Sequence, residues 1–131
     1  MKKLISIRLA STIIITVNTL ALFMHFLILL NILPHDFVWG GRLQNKEDII
    51  IFESISIIVQ LLFISIILIK AGYILIGKYK KTANFFTWIL FGLMVLNTLG
   101  NLSSNSDLEK WLMTPLTIVL ALMVYRLAIE K

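Results

Sequence analysis

The chain has 131 residues, of which 59% are hydrophobic and only 15% charged, and its mean hydropathy is +0.94; a soluble domain is far less apolar, so the composition places it in a bilayer. The formal charge of +5 does not make it a nucleic-acid binder, because the lysines flank apolar runs and form no basic face with interleaved aromatics. The lack of cysteine excludes disulfides, thiolate metal sites and a cysteine nucleophile.

Four apolar runs follow in chain order, at about residues 9–33, 49–69, 84–100 and 111–128. A helix rises about 1.5 Å per residue and the hydrocarbon core is roughly 30 Å thick, so roughly 20 residues span it. In lipid each backbone amide must be satisfied within its own segment, and runs this long without strand alternation are read as helices. The expected fold is a single all-α domain over residues 1–131, a polytopic membrane protein built as a four-transmembrane-helix bundle. The start "MKKLISIRLASTIII" has the basic flank of a signal peptide, but its apolar stretch is too long and no A-x-A site follows, so it is read as a retained first helix.

Pro34 is expected to stop the first helix, and Asn45 in "NKED" and Ser106 in "SDLE" to cap the second and fourth. After the second run, "KAGYILIGKYKKT" stays partly apolar, so that helix is expected to continue past Lys70 with the lysine snorkelling to the interface. Pro115 either kinks a fourth helix begun at Asp107 or opens the spanning helix itself. An isoleucine, lysine and asparagine bias is that of an AT-rich bacterial genome.

Lysine and arginine set the orientation. Lys2, Lys3 and Arg8, then Lys70, Lys78, Lys80 and Lys81, then Arg126 and Lys131 share one side, against Arg42, Lys46 and Lys110 on the other. The richer side is expected to be cytoplasmic, which puts both termini inside a plasma or inner membrane. Trp39 and Trp111 mark the outer boundary, and Tyr73, Tyr79, Trp88 and Tyr125 the inner one.

Polar residues form a stripe on three of the helices: Asn18 and His25 on the first, Glu53, Ser56 and Gln60 on the second, Asn97 and Asn101 on the third. Asn31, Glu53, Asn97, Asn101 and Thr114 fall in the outer leaflet and His25 and Gln60 deeper, a polar path that enters from outside and stops before the cytoplasm. Such groups are too costly to face lipid and should point inward. Asn18, Ser56, Gln60 and Thr117 are read as interhelical glue, and His25 as a hydrogen-bonded core histidine. Glu53 needs a partner, and Arg42 is the natural one for it or for a lipid phosphate: Gly40 and Gly41 allow a turn that carries the guanidinium, which forks onto either anion, back over the bundle mouth. The candidate binding residues are therefore Asn31, Trp39, Arg42, Glu53, Asn97, Asn101 and Thr114, with residues 33–53 forming a lid.

His25, His35, Asp36 and Glu53 lack metal-ligand spacing, and neither a phosphate-binding loop nor a nucleophile elbow occurs, so no metal, cofactor or reaction is assigned. The stretches "LPHDFVWGGRL", "FESISI", "LNTLGNL" and "TPLT" resemble those of small four-pass bacterial membrane proteins of uncharacterised function. The layout is also similar to the EXPERA group, which includes the sterol isomerases and the sigma-2 receptor: "FESISIIVQLLF" places an acid early in helix two and Pro115 a proline in helix four. That resemblance implies an intramembrane ligand pocket, although helix one offers Asn31 or the later Asp36 where the group embeds an acid. The expected function is binding of a membrane lipid or other hydrophobic molecule in an outward-facing pocket. The alternatives are a small homo-oligomeric transporter, with Glu53 or His25 meeting across an interface, and an accessory subunit of a larger membrane complex.

Overall fold

The computed structural model describes residues 2–32, 45–104, 107 and 109–130. They form four helices: α1 (Ile7–Leu29), α2 (Lys46–Lys70), α3 (Lys80–Leu102) and α4 (Thr114–Ala128), the last entered directly from a π-helical turn at Glu109–Met113. Each is long and apolar enough to cross a membrane when the π-turn is counted with α4, and no strand occurs among the described residues. Large apolar side chains cover the outside, among them Leu20, Phe23, Ile58, Leu62, Leu96 and Leu122. A surface of that kind is stable in hydrocarbon and not in water, so the chain is a multi-pass membrane protein.

Several boundaries move from their expected places for local reasons. Helix α1 starts at Ile7 because the Ser6 hydroxyl accepts from the Leu9 amide at 3.0 Å. It ends at Leu29, short of residue 33, because Asn31 turns left-handed at φ 63° and the amide of Ile32 bonds back to the Leu27 carbonyl at 2.9 Å. Asn45 caps α2 as expected, accepting from the Glu47 amide at 3.1 Å. At its other end α2 stops at Lys70, whose ammonium is held by the Asn84 side chain and the Glu130 carbonyl rather than released to the interface. The connection to α3 turns through left-handed Gly72 and Gly77. Pro34 and the Ser106 cap lie outside the described residues.

Pro115 stands second in α4, where its missing amide costs little, and the wide π-turn ahead of it takes up the misfit. The chain thus goes up and down four times, and each helix lies beside its neighbours in sequence, with α4 closing against α1. Packing is closer within the hairpins α1–α2 and α3–α4 than between them.

The two ends of the bundle differ. At the end that carries both termini, Ala10, Ile14, Ile67, Leu90, Val124 and Leu127 make a close-packed core. Buried Arg126 gathers that end: its Nε donates to the Ile5 carbonyl at 2.6 Å and its Nη1 meets Glu130 at 3.1 Å, while Lys2 stands 3.7 Å from the same carboxylate. Tyr73, in the connection after α2, lies 3.2 Å from the Ser11 hydroxyl, and that hydrogen bond holds the phenol below its ordinary pKa. The opposite end, where α1 turns to α2 and α3 to α4, is hollow.

Candidate functional site

A cavity of about 550 Å³ occupies the hollow half, walled by all four helices; that volume is typical of small-molecule sites. Its floor, toward the termini, is Val17, Phe63, Met94 and Leu120. Its polar groups climb from Asn18, Gln60 and Thr117 to His25, Asn97, Asn101 and Glu109. The lining residues of α1 and α4 are buried or half-buried, whereas Ile55 and Val59 on α2 and Leu93, Asn97 and Gly100 on α3 are exposed. The cavity therefore opens sideways between α2 and α3, and nothing lies within 4 Å of a Cβ built on Gly100.

Behind the α1 wall, the His25 Nδ1 meets the Glu53 carboxylate Oε2 in a buried pair. Glu53 is 0% exposed. Its other oxygen, Oε1, has no hydrogen-bond partner among the described residues. His25 thus partners Glu53 and staples α1 to α2 near the open end; Arg42, the partner expected from the sequence, lies outside the described residues. His25 lies one turn from the end of α1 and level with Glu53, shallower than the mid-membrane depth expected of it.

Across the cavity, Thr117 staples α3 to α4. Its hydroxyl lies 3.0 Å from that of Thr98 and accepts from the Asn101 amide at 3.3 Å, with the Met113 and Thr114 carbonyls at 3.0 and 3.1 Å as acceptors for its own proton. Thr117→Val keeps the shape and removes the acceptor, and should cost about 1 kcal/mol, the usual scale of an interhelical hydrogen bond. Unfolding titrations in mixed micelles would measure it, with Thr117→Ser expected to behave as wild type.

The candidate residues divide into three groups. Asn97 and Asn101 line the cavity. Glu53 does not, being screened by His25, and Thr114 is buried outside the cavity wall with its Oγ1 unpartnered among the described residues. Asn31 is exposed beyond the end of α1, where it terminates the helix instead of lining the cavity. Trp39, Arg42 and the part of the expected 33–53 lid at residues 33–44 lie outside the described residues, and its remainder is the Asn45 cap and the start of α2.

Polar lining residues outside the candidate set include Asn18, Gln60 and Glu109. Asn18 and Gln60 were expected as glue, yet the Asn18 NH2 turns back on its own helix to the Ile14 carbonyl at 2.8 Å. Glu109, expected only as part of a cap, is 6% exposed and accepts from Ser104 at 3.1 Å while lining the cavity mouth. Its place in the sequence beside Lys110 and Trp111 looks interfacial, and the π-turn is what swings it inward.

No group of three or more metal-ligating side chains occurs among the described residues. The arrangement offers a mostly apolar cavity that carries several hydrogen-bonding side chains. Comparison of the chain with protein-family models, curated proteins and solved structures finds no match.

Proposed function

We propose that the protein binds a lipid or another hydrophobic small molecule in this cavity, taking it up from the bilayer between α2 and α3. The observation that carries the reading is the cavity itself: about 550 Å³, mostly apolar in its lining, furnished with several polar side chains and bordered by exposed residues of α2 and α3. A molecule with a polar head and an apolar body fits that lining, the head in the chamber and the body along Ile55, Val59 and Leu93. The lysine-rich end that holds both termini is assigned to the cytoplasm of the cell membrane, so that the chamber belongs to the outer leaflet. Because Glu53 is enclosed and paired within one chain, it offers nothing to a neighbouring protomer, which favours a binding pocket over an interfacial transport site.

Native mass spectrometry of the detergent-purified protein beside Gly100→Trp tests this. The expected result is one lipid-sized adduct on the wild type and none on the variant, whose indole would occupy the open space at position 100. An adduct-free wild type, or an adduct that survives in Gly100→Trp, would overturn the reading.

A further inference from the structure

A second cavity, of about 370 Å³, lies at the other end of the bundle, where α1 and α3 begin and α2 ends. It shares no lining residue with the chamber among those described, and the core around Ile14, Ile67 and Val124 lies between the two. Its charged lining is Lys70, Lys78, Lys80 and Glu130. That acid is already served: Arg126 meets its carboxylate at 3.1 Å, and Lys2 stands 3.7 Å from the same oxygen. Lys70 hydrogen-bonds to the backbone carbonyl of Glu130, not to its carboxylate, and to the Asn84 side-chain oxygen. An ammonium has three N–H groups, so one of them is left over. Among the described residues no carboxylate pairs with Lys70, Lys78 or Lys80. Lys80 and Lys2 oppose the Lys70 charge, which Glu130 alone supports. The cavity is therefore cationic, three lysines facing one acid that two further basic residues share.

The backbone leaves room beside these lysines. Gly72 and Gly77 line the cavity, and nothing lies within 4 Å of a Cβ built on either. Tyr79, left-handed at φ 57°, turns the chain into α3 without a side-chain cap, so the positive end of that helix adds to the lysine charge. The surroundings decide which anion reaches the site. Between Lys70 and Lys78 the connection exposes Ile74, Leu75 and Ile76, the last of them 78% exposed and also part of the lining. Exposed apolar side chains beside lysines suit the headgroup layer of a bilayer, where the isoleucines dip and the ammonium groups stay hydrated. An anion that arrives with acyl chains can bury them along this apolar rim, which offers nothing to a free anion. A choline head, in contrast, would bring one more cation to a site already rich in them.

We infer that this second cavity binds the phosphate of an acidic phospholipid, with Lys70, Lys78 and Lys80 around the headgroup and the acyl chains beside Ile76. Basic pockets at the lysine-rich face of a membrane protein take such heads by charge. The site is separate from the chamber and does not depend on what the chamber holds.

A headgroup held at the water-facing end exchanges into detergent during purification, so the test adds lipid back to delipidated protein and reads affinity by native mass spectrometry. The probes are dioleoyl phosphatidylglycerol and dioleoyl phosphatidylcholine, which share their chains. Phosphatidylglycerol is expected to bind about ten-fold more tightly, the scale set by two lysines at an anionic interface. Lys78→Gln/Lys80→Gln should bring the two lipids to parity; both side chains are exposed, so the fold survives their change. Lys3→Gln/Lys81→Gln removes the same charge from the same end outside the cavity and should keep the preference, as should Gly100→Trp in the chamber. Equal affinities in the wild type, or equal losses in the two lysine pairs, would overturn the site, because bulk attraction to a basic end would then explain the binding. Loss of the preference in Gly100→Trp would place the acidic lipid in the chamber and overturn it as well. Displacement of the lipid by an equal concentration of glycerol 3-phosphate would overturn the lipid as the source of the phosphate.

Discussion

Replacing His25 with leucine is expected to destabilise the bundle by about 3–5 kcal/mol, and replacing Glu53 with leucine as well to return most of that loss. The asymmetry follows from burial. Glu53 is 0% exposed, one of its oxygens already lacks a partner among the described residues, and the other is held by His25. Removing the imidazole leaves both oxygens unserved in an interior that hydrates them poorly, and that desolvation penalty is the larger part of the loss. Removing both partners exchanges the pair for aliphatic packing between α1 and α2, which buried ion pairs generally tolerate. Unfolding titrations of the two single variants and the double variant, analysed as a thermodynamic cycle, give the coupling directly. A double variant no more stable than His25→Leu would show that Glu53 is not the group left stranded.

The second large effect lies at the other end. Arg126→Met is expected to cost about 2–3 kcal/mol, because the guanidinium is 4% exposed and serves both the Ile5 carbonyl and Glu130 with charge-assisted hydrogen bonds. Methionine fills the space of the aliphatic stem and leaves the Ile5 carbonyl without its donor. The segment before α1 should then exchange its amide hydrogens faster while the middle of α3 stays protected, a contrast that hydrogen-exchange mass spectrometry resolves. Arg126→Lys should fall between the two, since an ammonium can reach one partner but lacks the fork that serves both.

The number and class of the helices were legible because they follow from length and hydropathy alone. The ends were less so: Asn31 reads as one more polar residue in an apolar run, and only its left-handed backbone ends α1 at Leu29. The His25–Glu53 pair did carry a signal. The two residues, 28 apart, are equidistant from position 39, and so are Asn18 and Gln60; an antiparallel hairpin turning at that position brings each pair level. The choice of Arg42 as partner for Glu53 weighed charge and proximity in sequence above this register. Glu109 could not have been found the same way, because the turn that buries it is a π-helix, whose extra residue per turn shifts every helical-face assignment ahead of Pro115.

The polar staples also decide how the molecule can deform. His25–Glu53 binds α1 to α2 and Thr117 binds α3 to α4, both near the open end. Among the described residues, Arg126 to Ile5 and Lys70 to Asn84 and Glu130 cross from one hairpin to the other beside the termini. Mechanically this is a clothes-peg: two stiff jaws, a spring of close-packed side chains at one end, and a gape at the other.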